Sequence, residues 1–223
     1  MTARSPLVRI GTALLIVASA ATTSGCVAGA VGADEEPNAT FDLITPAAVE
    51  DVSTARGVQI LVPEPVALAT LASQRIVVRV GAREVQYLAG TRYADTLTKV
   101  TQFKVKRALE ASRSIGAVAL PGEGLAIDYQ VLTDIRAFEI RSAPVLVASA
   151  EQAAIGGRSA FVSLTIKLLD DRSGNVVASR VFERSAPVGP VADDDVGEAY
   201  LAALDAALDA ALVDIRAFVS QRV

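Results

Sequence analysis

The chain has 223 residues, a formal net charge of −4, 52% hydrophobic residues, one cysteine and no histidine. That length allows one domain with a sizeable core, or two small ones, and the acidic balance argues against non-specific nucleic-acid binding, which needs a basic face. Without histidine, Ser-His-Asp and Cys-His catalysis and Cys/His zinc sites are excluded; carboxylate-only chemistry remains open but would need a specific constellation.

Arg4 and Arg9 precede the apolar run "IGTALLIVASAA". The run is short for a membrane span, which needs about 20 residues, and has the form of a signal peptide. Ser24 and Gly25 then lead into the sole cysteine, Cys26. The segment resembles a bacterial lipobox, although Thr23 stands where leucine is usual. The expected division is a lipoprotein signal peptide over 1–25, a lipidated N-terminus and flexible tether over 26–40, and one domain over 41–223. Acylation at Cys26 makes the cysteine an anchor, since several acyl chains hold a membrane stably. Val27 follows it instead of aspartate, which by resemblance to bacterial sorting rules favours the outer membrane.

"TFDLITP" is a short strand candidate stopped by Pro46, and "GVQILVPEP" a second, ended by Pro63 and Pro65. "QRIVVRVGAREVQYLAG" reads as a hairpin turning at Gly81-Ala82. The spacing predicts a helix from Thr91 to Ser112, with Ala94, Leu97, Val100, Val105, Ala108 and Leu109 on one face and Lys99, Lys106, Arg107 and Glu110 opposite. Phe103 falls among the charges. It is either a docking residue or, as is commoner, a side chain covered by a neighbouring loop or strand.

After the loop "PGEG", "LAIDYQVLTDIRAFEIR" is a long strand in which Ile127, Tyr129, Val131 and Ile135 share a face. Phe138 and Ile140 have the opposite parity, so a bulge near Arg136-Ala137 is expected. "RSAFVSLTIKLLD", the turn "DRSGN" and "VVASRVFER" complete a three-strand antiparallel meander. Asp193 to about Gln221 forms a final helix with an apolar stripe from Val196 to Val219. Asp193, Asp194 and Asp195 lack the spacing of a calcium loop and read as charges at its N-terminal end. Asp128, Asp134 and Glu139 lie on one strand without defining a carboxylate pair. The fold class expected is α+β: a mixed, largely antiparallel sheet with two long amphipathic helices packed against it. No catalytic residue, metal site or cofactor is expected.

Tyr87, Gly90, Arg92, Tyr93 and Ala94, then Asp128, Leu132 and Phe138, then "ASRVFERSAPV" and the alanine-rich last helix, occur in an order that resembles the ABC-type transport auxiliary lipoproteins, the PqiC-like group. Tyr93 stands where tryptophan is commoner. The resemblance implies a non-enzymatic, periplasm-facing outer-membrane lipoprotein. It would work with an MCE-domain protein and an ABC transporter permease and ATPase to move phospholipid or sterol-like lipids between membranes. Arg92, Tyr93 and Phe103 are the partner-binding candidates. A competing class is an envelope-assembly lipoprotein that activates a cell-wall enzyme or chaperones an outer-membrane protein. A lipid carrier in its own right would need an internal apolar cavity.

Overall fold

The longest strands alternate apolar and polar residues, and that alternation lays out the sheet. In the computed structural model the described residues are 39–43, 57–112, 114–142, 157–190 and 196–223. Cys26, the leader, the tether and Asp193 to Asp195 lie outside them. The described residues belong to one compact unit, Asn38–Val223. Its strands are β1 (Ala39–Phe41), β2 (Val58–Leu61), β3 (Val66–Ala67), β4 (Arg75–Arg79), β5 (Val85–Tyr93), β6 (Ile115–Ala119), β7 (Tyr129–Ser142), β8 (Arg158–Asp170) and β9 (Val176–Pro187). The helices are α1 (Leu97–Glu110) and α2 (Val196–Ser220). The class is α+β, as expected.

β7 is the spine. It pairs antiparallel with β8 from Tyr129↔Asp170 to Ser142↔Arg158, and β8 pairs antiparallel with β9. On its other edge β7 meets β2, β3 and β4, all parallel. From there the sheet forks, with β4 leading to β5 and β1 and β2 leading to β6. The β7–β8 register shifts between Ile135 and Ala137, where the sequence phase slips. The extra residue returns Phe138 and Ile140 to the face of Val131 and Ile135, and all four are buried. Ala160, Val162, Leu164, Ile166 and Leu168 continue that face on β8.

α2 covers this surface, in contact with β7, β8 and β9. Leu204, Ala207, Leu208, Ala211 and Ile215 are fully buried, and Phe218 meets Phe182 of β9 edge-on at 5.4 Å. Small residues at three- and four-residue spacing let the helix lie close to the sheet. At its start, a Cβ on Gly197 would come within 2.7 Å of Thr91 Oγ1, so a larger residue there would force the buried Thr91 side chain to shift.

The helix predicted from Thr91 is corrected: β5 runs on to Tyr93, and α1 begins at Leu97. Thr91, Arg92 and Tyr93 pair in parallel with Ala39, Thr40 and Phe41. Tyr93 N–H also donates to Gln74 O at 2.8 Å. A long-range strand partner thus claims residues that local periodicity assigns to a helix. The apolar face of α1 is corrected too. Ala94 is exposed, Val100 and Ala108 are half-buried, and Thr98, Thr101, Gln102 and Lys104 are buried beside Leu97, Val105 and Leu109. Each of three polar groups meets a tertiary partner. Thr98 Oγ1 donates to Glu64 at 2.6 Å, Gln102 Nε2 to Val62 O at 2.9 Å, and Lys104 Nζ to Asp205 of α2 at 2.5 Å.

Candidate partner-binding surface

Four turns of α1 leave one face to solvent. Lys99, Phe103 and Arg107 recur at four-residue spacing along it, so their side chains line up. All three are exposed, Phe103 at 47%. The covered alternative for Phe103 therefore does not hold in this fold. Phe103 borders a groove of about 310 Å³ whose other walls include Asp42, Leu43, Ala94 and Val100. Leu43, just past β1, brings the N-terminal end of the domain against this helix. The surface combines an aromatic side chain, the apolar Leu43, Ala94 and Val100, and charges of both signs, with Asp42 and Asp95 beside Lys99, Lys104 and Arg107. Lys99 faces Asp95 at 3.8 Å, a solvent-screened pair of small energetic weight.

Arg92 is exposed, with Nε donating to Thr40 Oγ1 at 3.0 Å across the β1–β5 edge. Tyr93 is different. It is 1% exposed, and its ring meets Phe138 edge-on at 6.1 Å. Its hydroxyl has no hydrogen-bond partner among the described residues, and burial pushes the phenol far above its usual range. As folded, Tyr93 belongs to the core and offers no contact surface, because strand pairing with Phe41 turns its side chain inward.

Two ionic clusters escaped the sequence reading. Between the helices, Lys104, with a side chain 4% exposed, reaches Asp205 and, at 3.3 Å, Asp209. Burial pushes the Asp209 carboxyl up and Lys104 only partly offsets it. The second cluster lies on the sheet face away from the helices. Glu139, 1% exposed, accepts two bonds from Arg79, at 2.7 and 2.8 Å, and one from Arg141 Nε at 2.7 Å. Burial pushes this carboxyl up, but the two arginines outweigh it and leave it below its usual range. Arg141 also stacks on Phe161 at 3.5 Å, and Arg75 on Tyr87 at 3.7 Å. The sequence carries a faint signal of this in Arg75 and Arg79 at same-face positions and in Glu139 and Arg141 at i, i+2.

No three His, Cys, Asp or Glu side chains among the described residues are placed to share a metal ion. Asp128 instead accepts Gln59 N–H at 3.0 Å and an Arg172 bond at 3.0 Å. Asp134 is exposed on β7. No helix among the described residues is long and apolar enough to cross a membrane.

The family model for the ABC-type transport auxiliary lipoprotein component matches residues 41–216. The chain belongs to this family. Members of this family are described as lipoprotein components auxiliary to ABC-type transport. A solved Xanthomonas campestris protein of family DUF330 is similar at 27% identity and a TM-score of 0.67, covering 82% of this chain and 95% of that one. A second solved structure, of an uncharacterized protein, shares the fold at 12% identity and a TM-score of 0.59, over 82% of this chain and 99% of its own. An uncharacterized protein of Bradyrhizobium diazoefficiens is 29% identical over 168 residues; the match takes in 75% of this chain but only 41% of that relative.

Proposed function

We propose that this auxiliary lipoprotein is the outer-membrane end of an MCE/ABC-type intermembrane lipid-transport system, and that it acts by protein contact and not by catalysis. Acyl chains on Cys26 hold it facing the periplasm, and its domain grips the membrane-remote part of an MCE-domain assembly served by an ABC permease and ATPase. The observation that carries the reading is Phe103: a large aromatic left exposed between two cations, beside a groove lined by both apolar and charged residues, in a chain of this family. Buried interface aromatics often dominate binding energy, at about 2 kcal/mol or more on truncation. Arg92, exposed on the β1–β5 edge, is the second contact candidate.

The test is copurification and titration of the full-length chain with the MCE-domain assembly. Phe103→Ala is expected to weaken capture about 30-fold while leaving unfolding unchanged, and mass spectrometry of the native protein is expected to find an acylated N-terminal Cys26. Wild type that copurifies with a cell-wall synthase and never with an MCE protein would replace this reading with the envelope-assembly one.

A further inference from the structure

One rung of the sheet crosses four strands on the face turned away from α1 and α2. Tyr87 of β5 pairs with Val77 of β4, Val77 with Glu139 of β7, and Glu139 with Phe161 of β8. The next rung places Arg79 beside Arg141, on strands about 4.8 Å apart. Arg75 stands two residues before Val77 on β4, roughly 7 Å along it, and lies over Tyr87. Three guanidinium groups thus share one patch with the Glu139 carboxylate.

That carboxylate is already fully engaged. Arg79 uses Nε and Nη2 on Glu139, and Arg141 uses Nε. The Nη1 of Arg79 and both Nη atoms of Arg141 have no partner among the described residues, and the Arg75 guanidinium makes no hydrogen bond there. These side chains are not loose surface arginines. Glu139 orients two of them, the Phe161 and Tyr87 rings support Arg141 and Arg75, and the side chains stay partly exposed, at 33% for Arg79 and 38% for Arg141. A positively charged, pre-oriented set of planar donors matches the tetrahedral oxygens of a phosphate group. The adjoining rings offer apolar surface to whatever carries that phosphate.

We infer that the Arg75–Arg79–Arg141 cluster, on the sheet face turned away from α1 and α2, binds the phosphate of a glycerophospholipid headgroup. The phosphate chemistry rests on the guanidinium geometry alone. The choice of a lipid over free phosphate rests on the lipid-transport reading.

The full-length chain in non-ionic detergent micelles doped with equal amounts of dioleoyl phosphatidylglycerol and dioleoylglycerol supplies the test, with native mass spectrometry counting retained lipid. Wild type is expected to hold the phosphate-bearing lipid at least about fivefold over the diacylglycerol, falling toward parity in Arg75→Gln and Arg141→Gln. Arg75→Gln is the deciding variant, because it leaves every Glu139 contact in place and so keeps the fold. Equal retention in wild type, or a preference undiminished by Arg75→Gln, overturns the site. Loss of the adduct on adding inorganic phosphate at the lipid's own concentration would make free phosphate the ligand and overturn the lipid assignment. No MCE protein enters this experiment, so its failure leaves the copurification result standing.

Discussion

Tyr93 separates a core role from a contact role in one substitution. Its hydroxyl is buried without a partner among the described residues, and an unpaired hydroxyl costs about 1–3 kcal/mol by protein mutational measures. Tyr93→Phe removes that oxygen and keeps the ring against Phe138. The variant is expected to be neutral or about 1 kcal/mol more stable. Tyr93→Ala removes the ring as well and should cost about 3–5 kcal/mol as a large cavity opens. Urea unfolding at constant m, followed by far-ultraviolet circular dichroism, measures both. Capture of the transport partner should be intact in Tyr93→Phe and should fall in Tyr93→Ala only as far as the folded fraction falls. A loss above about 1 kcal/mol in Tyr93→Phe would mean that the hydroxyl has a partner. Lost capture in a stable Tyr93→Phe would return this residue to the interface.

Lys104→Met should cost about 2–3 kcal/mol, below the usual value for a broken buried pair because Asp205 and Asp209 keep some exposure; adding Asp205→Asn and Asp209→Asn should recover most of it, and no recovery would mean that the lysine stem, not its charge, matters. Glu139 has a lowered folded pKa, so its stabilisation is present above the unfolded carboxylate value and is lost as pH falls through the folded one. The melting-temperature gap between wild type and Glu139→Gln should therefore narrow from about pH 6 to about pH 3, and a constant gap would show that the charge contributes nothing. Asp209, raised by burial, works in the opposite sense and gains relative stability on acidification. A Cβ on Gly116 would come 2.6 Å from Gly57 O on the neighbouring segment, so Gly116→Ala should separate β2 from β6 and cost about 2–3 kcal/mol; a change under about 0.5 kcal/mol would show that the pair can part freely.

What could be read in the sequence was local periodicity. The meander, the β4–β5 hairpin, α2 and even the bulge near Ala137 follow from alternation and its one slip. What could not be read was pairing between distant segments. β6 is only five residues long, and β3 is two; each exists because a parallel neighbour takes its backbone bonds. The same cause moved the start of α1, since Ala39 to Phe41 claim Thr91 to Tyr93. The face of α1 was misjudged because a helical wheel treats Lys104 and Gln102 as polar and therefore outward. Their partners, Asp205 and the Val62 carbonyl, lie on other elements. Among the candidate contacts, Phe103 stood out by its wrong phase. The guanidinium cluster did not, because its members are spread over β4 and β7 and only the parallel register brings them together.

The two ionic clusters pose the same energetic question and answer it differently. A buried ion pair rarely outperforms well-packed apolar residues of the same volume. Lys104 and its aspartates still have a structural use, because α1 touches α2 through this contact and the charges fix which turn of one helix meets which turn of the other. Glu139 has no such role. The β4–β7 and β7–β8 registers are already set by backbone ladders and by the apolar alternation on the opposite face. Val77, Ala137 and Phe161 around it show that this face accepts apolar side chains at these positions. A leucine there would complete the rung without burying a charge. What Glu139 supplies, and leucine would not, is orientation: it holds two guanidinium groups still, with most of the Arg141 donors unspent. That expense is accounted for if the donors have a ligand, and the patch lies on the opposite side of the sheet from the helices, so a headgroup held there would leave the Phe103 surface free for the transport partner.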